Sequence, residues 1–297
     1  MGMFRWIAPA FLVTLVLATG CESGARQTAA PKTYSVHGKV LEVDAKKQEI
    51  LLQHEAVPGF MDAMTMPYKV ADPAAINELH ANDQISATIV VTNSGADLHD
   101  VVITGQADPN TLPKSQYHVP EPGDAVPDFR LTNQSARQIH LSQFRGKVLL
   151  MTFIYTRCPL DDFCPRMSRN FAEIEHQIIS DKELSTKTHL LSVSFDTAYD
   201  KPAVLRSYGE AYTGNYNKER FEHWDFAAPD AQTLTKMTQF FDVGVTGSDP
   251  QSIVHSLSTV IIGPDGKVIE WLPTNDWKPS DVLATMRKAA AQIGAKG

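Results

Sequence analysis

Cys158 and Cys164 flank Pro159-Leu160-Asp161-Asp162-Phe163, and a pair this close in the chain can close a disulfide, exchange electrons, or hold a soft cation. The residues between them weigh on the choice. Asp161 and Asp162 raise a thiol pKa and repel an incoming thiolate, yet they attract a cation. A purely structural disulfide over so short a loop would restrict the unfolded chain only modestly. The metal reading leads, with the redox dithiol and the structural bridge still open. Cys164 precedes Pro165, a residue favoured at the first helical position. Its sulfur is therefore expected at a helix amino terminus, where partial positive charge favours thiolate, the metal-binding form.

A second cluster lies in the first third of the chain, where His54-Glu55-Ala56-Val57-Pro58-Gly59-Phe60-Met61-Asp62-Ala63-Met64-Thr65-Met66-Pro67 gathers an imidazole and three thioethers. Thioethers are soft donors that do not protonate near neutrality, so they select monovalent copper or silver over zinc or magnesium. On a strand the alternating Met64 and Met66 point to one face. His54, at the end of the run 49–53, could join them from across the sheet. Methionine is also an adaptable core residue, and packing competes with ligation at this point.

The elements that must position these groups follow from periodicity. Short β-like runs at 34–43, 49–53, 84–91 and 98–104, broken by Asp, Asn, Gly and Pro, imply a small all-β module over 33–106, a barrel of OB-like size. Pro109, Pro113, Pro120, Pro122 and Pro127 then hold the chain extended, which makes 107–122 a linker. Beyond it, apolar runs at 148–155 and 189–195 with a helix-like stretch at 165–179 between them read as a parallel strand-helix-strand unit. Cys158 follows the first of these strands, at the carboxyl edge where α/β sheets place their binding sites. Runs at 258–262 and 268–272 flank the hairpin signal Gly263-Pro264-Asp265-Gly266, and 279–293 reads as an amphipathic terminal helix. That order is thioredoxin-like, over 123–297, so the fold class is a two-domain chain: an all-β barrel followed by an α/β thioredoxin-like domain. In this topology the strand from Ser258 neighbours the one leading to Cys158. His255, just before it, is thus the best placed of the ten histidines to be a third donor.

Tyr155-Thr156-Arg157-Cys158-Pro159 with Cys164-Pro165, then Ser194-Phe195-Asp196, then His255-Ser256-Leu257-Ser258-Thr259, resembles the Sco/SenC family over about residues 123–293. The resemblance implies copper, as Cu(I) or Cu(II), held by Cys158, Cys164 and His255 and delivered to the copper-bearing subunit of a cytochrome c oxidase or another copper protein. It also implies a tuning or docking role for Asp196. The family usually has three residues between its cysteines where this chain has five, so the sulfurs are no longer one helical turn apart. Thioredoxins carry a cis-proline where this chain has Leu257, and no tryptophan stands beside Cys158. Residues 34–105, through His-Glu-x-Val-Pro-Gly and Met-Thr-Met-Pro, resemble the CusF-like periplasmic copper and silver binding domain. That implies a Cu(I) or Ag(I) site at His54, Met64 and Met66, with Met61 where the family has a capping tryptophan.

Whole-chain properties narrow the classes further. A net charge of −7 with pI near 5.8 offers no attraction to polyphosphate, so nucleic acid is not an expected partner. Residues 1–20 pair Arg5 with an apolar stretch too short to span a bilayer, which reads as a secretory signal. Leu17-Ala18-Thr19-Gly20-Cys21 resembles a bacterial lipobox, making Cys21 a lipid anchor and 21–32 a flexible tether. The expected location is extracytoplasmic, anchored to a bacterial membrane and facing the periplasm. Setting Cys21 aside leaves Cys158 and Cys164 as a pair in an oxidising compartment. The competing class is an enzyme, a thiol-disulfide oxidoreductase acting on exported proteins, which has no use for His255. Trp271, Trp277 and the stretch 196–212 read as packing and surface.

Overall fold

The structure, a computed structural model, describes Gly2 and residues 31–92, 95–106, 118–246 and 253–294. The expected cleavage site, the lipid-anchor Cys21, the tether to residue 30 and the linker stretch 107–117 lie outside the described residues. Among the described residues no helix is long and apolar enough to cross a membrane.

Five strands open the described chain: β1 (Lys32–Asp44), β2 (Glu49–His54), β3 (Met64–Val70), β4 (Asp83–Thr92) and β5 (Gly95–Gln106). They close in the order β1-β2-β3-β5-β4. Alternation explains the closure, since Val36 and Val40, Ile50 and Leu52, Tyr68 and Val70, and Ile85 and Ile89 all turn inward. A register shift between Val40 and Glu42 bends the long β1 so that it can pair on both sides. A short helix α1 (Pro73–Glu78) follows β3; it starts where Asp72 accepts a hydrogen bond from the Ala74 backbone and Pro73 takes the first turn. Gly38 pairs with His54, and a Cβ there would lie 2.6 Å from the Gln53 carbonyl oxygen and 2.9 Å from the His54 Cα. Only glycine lets β1 approach the histidine this closely.

The remaining strands form a second sheet of order β14-β13-β8-β9-β10-β6-β7. At its centre β8 (Val148–Ile154), β9 (Thr188–Ser194) and β10 (Trp224–Ala228) run parallel. Every residue of β8 and β9 is buried, as expected of strands covered by helices on both faces. One edge is the antiparallel pair β13 (Thr259–Ile262) and β14 (Val268–Leu272), with β13 against β8; the other is β6 (Arg130–Asn133) and β7 (Gln138–His140). Helix α2 (Cys164–Ser180) buries Met167, Phe171, Ile174 and Ile178, a 3–4 spacing that makes one apolar stripe. Each such side chain contributes about 1.5–3 kcal/mol through burial. The helices α3 (Lys182–Lys187), α4 (Pro202–Thr213), α5 (Ala231–Phe240) and α6 (Pro279–Ala291) and a two-stranded ribbon of β11 (Val245–Thr246) and β12 (Val254–His255) complete it.

The expected strands and the terminal helix are present with ends shifted by at most three residues, the largest shift being at the start of β5. The β6–β7 pair, β10 and α5 have no counterpart in the sequence reading: β6, β7 and α5 interleave apolar residues with polar ones, and β10 is only five residues long. The stretch 196–212, read as packing and surface, holds most of α4, where Leu205 and Gly209 are buried.

Candidate metal centre

Strand β8 ends at Ile154, and the chain turns through Tyr155-Thr156-Arg157 to Cys158. Asp200 pins this turn: its carboxylate accepts from the Thr156 backbone N–H at 3.0 Å, from the Thr156 hydroxyl at 2.5 Å and from the Ser194 hydroxyl at 2.5 Å. Burial nonetheless pushes the Asp200 pKa up, outweighing those donors. Sequence reasoning missed Asp200, since an aspartate after a strand reads as a turn residue.

The sulfurs of Cys158 and Cys164 and a ring nitrogen of His255 lie within 4.8 Å of one another. His255 Nε2 is 3.9 Å from the Cys164 sulfur, while Nδ1 lies 2.9 Å from the Ser256 carbonyl oxygen. A carbonyl only accepts, so Nδ1 carries the proton and Nε2 presents its lone pair to the sulfurs. Tyr155, Phe163 and Phe195 surround the imidazole at centroid distances of 5.5, 5.7 and 5.0 Å. Phe163 belongs to the lengthened loop, so the extra residues supply one wall of the histidine cage.

The two thiols differ in kind. The Cys158 pKa is lowered, first by a hydrogen bond from the Cys164 thiol. The Cys164 pKa is raised by burial. This corrects the expectation that the helix end would make Cys164 the thiolate. Cys164 does begin α2, but it is fully buried, and desolvation of a charged sulfur outweighs the helix-end field. A second correction concerns the loop carboxylates. Both Asp161 and Asp162 are exposed, and Asp161 is paired with Arg169 at 3.0 Å, so its charge is not directed at the sulfurs.

Asp196 accepts from Arg157 at 3.1 Å (Nε) and 2.6 Å (Nη2), and the guanidinium lies 4.0 Å from the Tyr199 ring centroid. It therefore bears on Cys158 through the preceding residue. No cis peptide occurs among the described residues, and Leu257 is buried.

The second cluster sits where β2 meets β3. His54 pairs directly with Met64, and Leu52 with Met66, so imidazole and thioethers share one face. His54, Met61, Met64 and Met66 are all buried. His54 Nδ1 lies 2.7 Å from the Glu55 carbonyl oxygen, which places the proton there, and its buried Nε2 has no hydrogen-bond partner among the described residues. Burial lowers the His54 pKa and keeps the ring neutral. An orphaned imidazole lone pair beside thioethers suits a soft monovalent cation and is costly otherwise. The Met61 sulfur accepts from the Tyr68 hydroxyl at 3.4 Å.

A thioredoxin-like sheet with a Cys–Cys–His triad at the carboxyl edge of its central strands, buried at Cys164 and His255 and partly accessible at Cys158, is the arrangement of a thiol-based metal or redox protein. The family model described as SCO1/SenC matches residues 118–291, more than half of the chain, and the chain belongs to that family. Residues 33–102 match a second family model, described as copper binding periplasmic protein CusF. The SCO1 protein homolog of Bacillus subtilis (strain 168) is 25% identical over 171 residues, covering 57% of this chain and 83% of that protein. A crystal structure of a SCO1/SenC family lipoprotein from Bacillus anthracis str. Ames is similar at TM-score 0.50 and 22% identity, over 58% of this chain and 99% of that one. The structure of Bradyrhizobium japonicum ScoI with copper bound has TM-score 0.46 and 20% identity, over 56% and 99% of the two chains.

Proposed function

We propose that this chain is a copper-binding chaperone that holds copper on Cys158, Cys164 and His255 and hands it to the copper-bearing subunit of a membrane cytochrome c oxidase or to another copper protein. The observation that carries the reading is the His255 tautomer: an Nε2 lone pair facing two sulfurs is a third ligand, and dithiol chemistry has no need of it. In the same reading the chain comprises a leader at 1–20, a tether at 21–32, an OB-like copper-binding barrel at 33–106, a linker at 107–122 and a thioredoxin-like domain at 123–297. The barrel holds Cu(I) or Ag(I) on His54, Met64 and Met66, with Met61 as a further sulfur. Lipidation of Cys21 anchors the protein to a bacterial membrane, facing the periplasm, and Asp196 tunes the site through Arg157. The match to a periplasmic copper protein family supports the extracytoplasmic placement.

Anaerobic titration of the reduced protein with Cu(I) against a competing chelator tests the reading. His255→Ala should lose the cysteine-dependent site and keep dithiol exchange. Copper binding unchanged by His255→Ala would overturn it. One observation favours a second reading, a thiol-disulfide oxidoreductase: a lowered-pKa, accessible Cys158 beside a raised-pKa, buried Cys164 is the asymmetry of an attacking and a resolving thiol. In that case rapid turnover of a disulfide substrate should survive His255→Ala and vanish in Cys158→Ser.

A further inference from the structure

The donors of the methionine cluster are all neutral, so a monovalent cation there would leave a buried positive charge without compensation. The compensating charge stands on the other side of a contact between the barrel and the α/β sheet. Met64 lies directly against Gly244: a Cβ built on that glycine would sit 2.3 Å from the Met64 Cβ and 2.8 Å from its sulfur. The Asp62 backbone N–H donates to the Thr246 hydroxyl at 2.8 Å, and Lys47 is paired with Asp276. Two residues before Gly244, Asp242 is fully buried, and neither of its carboxylate oxygens has a hydrogen-bond partner among the described residues.

Burial pushes the Asp242 pKa up to about 6, against the opposing pull of the Thr65 side chain, which stands between Met64 and Met66 and whose Oγ1 is itself buried. His118 exerts the same pull from further off, its ring being held by Asp124 at 2.8 Å. Asp242 also adopts a left-handed backbone, φ 51°, which aspartate and asparagine tolerate better than most residues. A buried carboxylate without an ion-pair partner, beside a cation site built of neutral donors, is destabilising in isolation and stabilising once the cation arrives.

We propose that Asp242 is the counter-charge of the methionine cluster, supplied to the barrel by the α/β half, so that the site is complete only while the two are in contact. Thr65 points to the strand face opposite Met64 and Met66, so Asp242 acts across β3 as a charge held in place and not as a ligand. Its field in a poorly screened interior favours cation entry. Metal loading of the barrel and its docking then reinforce one another, because whatever parts the halves removes the charge. This rests on the methionine site proposed above.

The test uses the full chain carrying Cys158→Ser and Cys164→Ser, which leaves the barrel as the soft site, with Ag(I) and Cu(I) as probes in chelator competition. Adding Asp242→Asn should weaken both ions by roughly tenfold or more, at a separation where Coulomb attraction still counts. Asn tolerates the left-handed backbone as Asp does, so folding should persist, and Asp242→Gly should lose affinity by a similar factor. Thermal unfolding without metal separates charge from structure: Asp242→Asn should be as stable as its parent or more so, with a smaller gain on adding Ag(I). Equal affinity in parent and Asp242→Asn would overturn the proposal while leaving the methionine site standing. A parent that binds neither ion would overturn both.

Discussion

His54 and His255, in different sheets, are held by the same device: each imidazole gives its Nδ1 proton to the carbonyl of the next residue, Glu55 and Ser256, at 2.7 and 2.9 Å. Each thereby presents Nε2 as a lone pair into a cluster of sulfur atoms. A backbone carbonyl one residue away cannot be lost by side-chain substitution, so the tautomer is built into the local chain. The two rings differ in what meets Nε2: a thiol for His255, no hydrogen-bond partner among the described residues for His54.

The thiol asymmetry predicts an order of reaction. With its pKa lowered and its sulfur partly accessible, Cys158 should be alkylated by iodoacetamide far faster than the buried Cys164. Because the lowered value keeps Cys158 ionised, the rate should fall little between pH 8 and pH 6, where an ordinary thiol would slow about a hundredfold. Mass spectrometry of the first product reads the outcome. Labelling of Cys164 first, or a full hundredfold slowing, would refute this assignment.

Asp200 should be a positioning residue for the metal site. Asp200→Ala strands the Thr156 N–H, the part-buried Thr156 hydroxyl and the buried Ser194 hydroxyl, and should cost about 3 kcal/mol in urea unfolding. It should also weaken cysteine-dependent Cu(I) binding, because the turn carrying Cys158 loses its anchor. Stability loss with unchanged copper affinity would show that the anchor serves the fold alone.

What was legible beforehand followed from local signals. The buried runs of β8 and β9, the hairpin after β13 and the Cys-Pro helix start each announce themselves within a few residues, and they bring His255 to the cysteines. The ionisation of the thiols was misread because burial of Cys164 arises from α2 packing on the sheet, which no neighbouring residue signals. Asp242, Gly244 and Thr65 were invisible for a similar reason. Their contact joins segments some 180 positions apart in the sequence. Asp200 lay in a stretch whose polar residues looked solvated.

Glu175 offers a pH test away from the metal sites. It is buried on α2, and burial, with help from Glu219, pushes its pKa up to about 7 from an ordinary 4.5. The folded state therefore holds a proton that the unfolded state releases, so this contribution is fully present below about pH 4.5 and is lost as pH rises through about 7. Glu175→Gln should stabilise the protein by about 2–3 kcal/mol at pH 8 and hardly at all at pH 4.5. Denaturant unfolding at the two pH values checks it, and an equal effect at both would contradict the linkage.

Tyr68 decides whether Met61 is a ligand. In the metal-free protein its hydroxyl donates to the Met61 sulfur, and both side chains are buried. If Met61 turns its sulfur to a metal, that bond is given up and a buried hydroxyl is left unpaired, at a cost of about 1 kcal/mol or more. Tyr68→Phe removes the cost in advance, since no hydroxyl remains to be stranded. Ag(I) affinity at the methionine cluster should then rise by about fivefold, while metal-free stability falls slightly for the lost bond. Met61→Leu, which keeps the volume without the sulfur, should abolish that gain as well as weaken binding. If Tyr68→Phe leaves Ag(I) affinity unchanged and Met61→Leu does the same, Met61 packs beside the site, and His54, Met64 and Met66 hold the ion without it.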